Sequence, residues 1–210
     1  MADLKIKPQA GSGNKLILQD QQAGAVLTTS DSGATLGSTV TGSPALNLGN
    51  ATFPAGAVLQ TLIARNTGPE VINTTGWTAI PDMSLAITPS ATSSKILVSV
   101  NLLVAGHDTK YILGVRLYRG STSLGHADTE GNRPTAWMTS GAQPWSNYNI
   151  QSASNFYLDS PNTTSATTYS LKIWDVRDSS YVLINRHAYN IDAADSPRGT
   201  SSMVVQEIAG

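Results

Sequence analysis

Side chains able to do catalysis or hold a metal are few in this sequence, and none falls into a working pattern. There is no cysteine, which excludes thiolate nucleophiles, disulfides, iron–sulfur clusters and thiolate zinc sites. The three histidines, His107, His126 and His187, do not form His-x-x-x-His, the spacing that puts two imidazoles on one helical face toward a zinc ion. His107 reads as a solvated loop residue, and His187 follows an expected strand, where it can touch a neighbouring subunit. Neither a Gly-x-Ser-x-Gly elbow nor a Gly-x-x-x-x-Gly-Lys phosphate loop occurs. Asp175 and Asp178 flank a turn and read as a hairpin charge pair, since a glycosidase pair is defined by separation across a cleft, not along the chain. Asp192, Asp195 and the Ser196-Pro197 turn lack the ordered ligands and closing Glu of a calcium loop. The expectation is a non-enzyme with no catalytic residue, no metal and no cofactor.

One stretch has the side chains of a binding surface. Residues 125–150 form a long, turn-rich excursion carrying Trp137, Trp145 and Tyr148 beside Arg133, Gln143 and Asn147. Flat rings stack on the apolar faces of sugars, while amides and cations bond the hydroxyls, and long loops are often functional. A second reading stands beside it. Trp137 and Trp145 can plug the interior or a subunit interface, where aromatics are enriched.

The elements that must carry these residues are β-strands. Ser and Thr make up 47 of 210 residues, whereas Glu occurs three times and Lys six. Glu and Lys populate the exposed faces of helices, and Thr and the β-branched residues prefer a pleated surface. With 18 Gly and 10 Pro as punctuation, the chain reads as all-β with many turns. The net charge of −1 leaves no electrostatic footprint for nucleic acid or anionic membranes. No apolar run approaches the ~20 residues that span a bilayer, and the start, Met1 to Pro8, lacks the apolar core of a secretory signal. Synthesis in a cytoplasm, with neither nucleic acid nor membrane insertion, is expected.

The chain divides unevenly. Residues 1–52 contain no aromatic, and every Trp, Tyr and Phe lies in 53–210. Aromatics supply much of a core's buried area, so the first segment is too poor in apolar surface to fold alone. Leu16, Val26, Leu36 and Leu46 recur every ten residues, with glycines between them. This is the rhythm of a β-structured shaft whose surface is buried when chains wind together; a flexible tail is the competing reading. Leu16, Ile17, Leu18, Val26, Leu27, Leu36 and Leu46 are the expected anchor and assembly residues.

Residues 53–210 read as a compact antiparallel sandwich of the jelly-roll type. Strands are expected at Val58–Arg65, Trp77–Ile80, Met83–Thr88, Lys95–Ala105, Tyr111–Arg119, Asn155–Asp159, Thr168–Val176, Tyr181–His187 and Ser201–Ile208. Ile96, Val98, Val100, Leu102 and Val104 share one face by period two. The last strand is apolar on both faces, which suits a central strand near a subunit interface.

Two stretches carry a family likeness. The opening Leu4–Pro8, Gly11–Asp20 and Ala25–Thr29 resembles the N-terminus of fibre-like virion proteins of tailed, marine and cyanobacterial phages. Tyr181–Arg186, Gly199–Ile208, Leu85–Ser90 and Ser94–Val98 resemble parts of the knob domains in those proteins, which are similar to trimeric jelly rolls of the tumour-necrosis-factor type. The resemblance implies a homotrimer located in the virion. Residues 1–52 would anchor it to other virion proteins, and the knob would meet a host surface glycan or protein. A capsid decoration or cement protein is the alternative, and a tail-associated glycan-cleaving enzyme a minor one.

Overall fold

A computed structural model describes residues 17–19, 25–30, 33–36, 53–106, 112–141, 150–176 and 181–210. The chain splits into two compact units, Met1–Ala51 and Thr52–Gly210. In the first, β1 (Ile17–Gln19), β2 (Ala25–Ser30) and β3 (Gly33–Leu36) form an antiparallel meander. Its register sets Leu18 opposite Leu27 and Leu27 opposite Leu36. A register shift in the β1–β2 ladder leaves Val26 unpaired with β1. Leu16 and Leu46 lie outside the described residues.

The second unit is an all-β sandwich. Its strands are β4 (Val58–Asn66), β5 (Glu70–Asn73), β6 (Thr78–Ile87), β7 (Lys95–Gly106), β8 (Ile112–Arg119), β9 (Thr122–Leu124), β10 (Met138–Gly141), β11 (Gln151–Asp159), β12 (Thr167–Asp175), β13 (Tyr181–Ile184) and β14 (Ser201–Ile208). The six-stranded sheet is four positions wide, because β4 and β5 lie in line against β14 and β13. β14 and β13 in turn share one edge of β7, with β11 on the other. The five-stranded sheet is also four positions wide. β9 and β10 lie in line along the edge of β8 that β12 leaves free, and β12 pairs β6. Counting each in-line pair as one strand gives eight strands in lateral orders 1-8-3-6 and 2-7-4-5, the connectivity of a jelly roll.

Alternation fills the space between the sheets. Val98, Leu102 and Val104 of β7, Leu113, Val115 and Leu117 of β8, Leu171 and Ile173 of β12, and Met203 and Val205 of β14 are all buried. Each such side chain contributes about 1.5–3 kcal/mol on burial. β14 lies between β4 and β7, so the last strand is central.

Two expectations are corrected. The segments expected as separate strands at Trp77–Ile80 and Met83–Thr88 join as β6, which runs through Pro81. β6 is an edge strand with a register shift opposite Ser170/Lys172, and Asp82 sits at φ 57; an edge bulge is where a strand tolerates proline. Between β4 and β5, Asn66–Pro69 interrupts a strand position and does not reverse the chain. The strand expected at Tyr181–His187 ends at Ile184, because Asn185 adopts φ 62 and turns the chain into an excursion that returns at Ser201.

That interruption leaves backbone groups without ladder partners, and buried polar side chains replace them. Asn185 Nδ2 donates to Asn66 O and Asn66 Oδ1, both at 2.8 Å, and to Gly68 O at 3.0 Å. Asn185 Oδ1 accepts from Ser201 Oγ at 2.7 Å, and that hydroxyl accepts from Leu103 N at 3.0 Å. Asn66 Nδ2 donates to Pro81 O at 3.0 Å, tying in the bulge of the other sheet. At the opposite end Glu207, 1% exposed, accepts from Ser90 N at 2.7 Å and from Ser90 Oγ, Ser94 Oγ and Gln60 Nε2, each at 2.6 Å. Burial pushes its carboxyl pKa up, but these four donors outweigh it and hold the group below the usual carboxylate range.

Candidate functional site

The two outer faces of the sandwich carry the candidate binding residues. On the six-stranded sheet, residues one place out of phase with the core face outward. Register aligns Ile63 with Val204, Val204 with Ser99 and Ser99 with Phe156, a row crossing β4, β14, β7 and β11. The neighbouring row sets Gln206 opposite Leu97 and Leu97 opposite Leu158. Phe156 is 72% exposed, Ile63 54% and Leu158 52%. On one side the apolar rows are bordered by Arg65, Ser202, Asn101 and Ser154 in register. Ser152 Oγ and Ser154 Oγ donate to Asn101 Oδ1 at 2.7 and 3.1 Å. Ser99 and Gln206 lie within these rows, so the patch mixes apolar and polar groups, as a non-obligate protein interface does.

The outer face of the five-stranded sheet is organised differently. Trp77 and Trp174 meet edge to face, centroids 5.7 Å apart at 71°. Arg116 lies 4.0 Å over the Trp77 ring, and Lys172 Nζ lies 4.7 Å from the Tyr118 ring centroid. Such contacts contribute about 0.5–1 kcal/mol each at exposed sites. Gly114 makes room for Trp77, since a Cβ there would stand 2.8 Å from Cη2.

Arg116 also pins the excursion that joins β9 to β10, donating from Nε to Thr135 O at 2.7 Å and from Nη2 to Thr135 Oγ1 at 3.0 Å. Trp137, at the end of that excursion, is 7% exposed and part of the core. Its N–H donates to Val115 O at 2.8 Å, and its carbonyl accepts from Asn155 Nδ2 at 3.0 Å. Trp137 therefore plugs the sandwich and offers no ring to a ligand. Gly125, at φ +61, comes so close that a Cβ would lie 2.9 Å from Trp137 Cδ1. Arg133 is exposed and paired with Glu130 at 3.0 Å. Gln143, Trp145, Asn147 and Tyr148 lie outside the described residues, as do His107 and Asp178.

His187 is buried, with Nε2 3.1 Å from Ser196 Oγ. His126 is exposed, with Nδ1 3.0 Å from Ala127 O. Among the described residues no three His, Asp or Glu side chains gather closely enough to share a metal ion. No helix of the described residues is long and apolar enough to cross a membrane.

Sequence reasoning missed Glu207, Asp159 and Tyr169 as buried polar groups. Phase could have found them. Glu207 continues the inward set Met203 and Val205, and Tyr169 precedes Leu171 and Ile173. No protein-family model matches the chain, and no curated protein matches it.

Proposed function

We propose that the chain is a structural protein of a tailed-phage virion, a short homotrimeric fibre or spike. Residues 1–52 anchor it to other virion proteins, and residues 53–210 form a knob for attachment to a host surface. The observation that carries this reading is the face formed by Ile63, Val204, Phe156, Leu97 and Leu158, which no described residue covers at Ile63, Phe156 and Leu158. Copies of the same chain are the occupant. Each of the four strand positions of the sheet contributes to that face, Ile63 from β4, Val204 from β14, Leu97 from β7, and Phe156 and Leu158 from β11. The likeness of both chain ends to phage fibre proteins supplies the setting. Multivalent display turns weak host contacts into tight attachment.

Capsid decoration is the second reading. It is favoured by the shortness of the described N-terminal strands, three, six and four residues long, which suit a clamp better than a long shaft. Immunogold labelling of intact particles with antibody against residues 53–210 separates the two. Label at the tail supports attachment, label over the head supports decoration, and particles without label overturn both.

A further inference from the structure

An open cavity of about 410 Å³ lies where β8 turns into β9 and β11 into β12, against Arg119 and Gly120 on one side and residues 161–168 on the other. Arg119 is held by a buried polar group. Asp159, 5% exposed, accepts from Arg119 Nη1 at 2.9 Å on Oδ1 and 2.8 Å on Oδ2. Tyr169 Oη donates to Asp159 Oδ2 at 2.6 Å. Burial, reinforced by the carboxylate, pushes the Tyr169 pKa up, so the phenol keeps its proton and remains a donor. The guanidinium is thus set in place by groups on β11 and β12.

The hydrogen-bonding capacity left over is specific. Every bond Arg119 makes among the described residues uses Nη1, so Nε and Nη2 keep their protons to give. Thr163 Oγ1 accepts from Ser165 N at 3.0 Å, leaving its hydroxyl proton to donate. Thr167 Oγ1 donates to Ser165 O at 3.1 Å, leaving its lone pairs to accept. Pro161 and Ala166 add apolar surface. Donors and an acceptor together match a ligand that itself both donates and accepts. The Arg119 charge is already compensated by Asp159, which removes the preference for an anion.

We infer that this cavity binds a neutral saccharide unit through its hydroxyl groups. Its volume lies in the range of small-molecule sites, about 300–1,000 Å³. The inference stands on the cavity's own chemistry and does not depend on a virion role.

The test is saturation-transfer NMR on the full chain with methyl glucoside, methyl galactoside, methyl mannoside and glucuronate as probes, beside the variant Thr163→Val/Thr167→Val. At least one neutral hexoside binds, more tightly than glucuronate, and the double variant weakens it about tenfold, the effect of losing two modest hydrogen bonds. Should the double variant lose its cooperative melt, Arg119→Lys gives the same readout, because it keeps a cation beside Asp159 and removes the fork. No binding by any neutral hexoside, undiminished binding in the folded variant, or preference for glucuronate would each overturn the inference.

Discussion

The two outer faces of the sandwich are built by the same alternation and finished in opposite ways. On the five-stranded sheet, Trp77 and Tyr118 lie under the cations Arg116 and Lys172 of their own chain. On the six-stranded sheet, Phe156, Ile63 and Leu158 have no such cover among the described residues. A chain with 13% charged residues has few long charged side chains to spread over apolar surface. Among the described residues the cation–ring contacts stand on the five-stranded face, while Arg65 only borders the other. The face left bare is the one that copies of the chain cover in the proposed trimer.

The largest effect expected from breaking this contrast is on mass. Ile63→Asp with Phe156→Asp places charge in the centre of the bare face, and sedimentation should show a folded 22.0 kDa monomer. Lys172→Asp on the opposite face should leave the assembly intact. Next in size is the clasp on which both faces rest. Asn185→Ala removes the donor to two buried acceptors of Asn66 and to the part-buried Gly68 O, and denaturant unfolding should show a loss of roughly 3–4 kcal/mol. Arg116→Ala removes the cover of Trp77 and the bonds to Thr135, a loss of about 1–2 kcal/mol by the same measurement, with the assembly retained.

The smallest effect is the acid response of Glu207. Its folded pKa lies below the unfolded carboxylate value of about 4.3. Its contribution to stability is therefore complete above that value and fades as pH falls through the folded pKa. Glu207→Gln should flatten the acid limb of a plot of denaturation midpoint against pH. An unchanged limb would show that Glu207 takes no part in it.

The long strands were legible because period two is strong where both neighbours are regular, as in Lys95–Gly106 and Ser201–Ile208. The short strands β5, β9 and β10 were not, because three or four residues carry too little periodicity. Each is one half of an in-line pair, and pairing across the sheet defines it. The end of β13 was missed for a related reason: Asn185 sits inside the expected strand Tyr181–His187, and its left-handed backbone, φ 62, is not visible in the periodicity. The aromatic excursion was visible as composition, yet Trp137 faces the core because it adjoins β10. The Arg119 cavity left no trace in the sequence, since Arg119, Thr163 and Thr167 come from separate segments.

Light scattering of the purified full chain tests the central claim most directly. The account predicts a single species of about three times 22.0 kDa, converted to monomer by the Ile63→Asp/Phe156→Asp pair. A stable wild-type monomer with a cooperative thermal transition would contradict it.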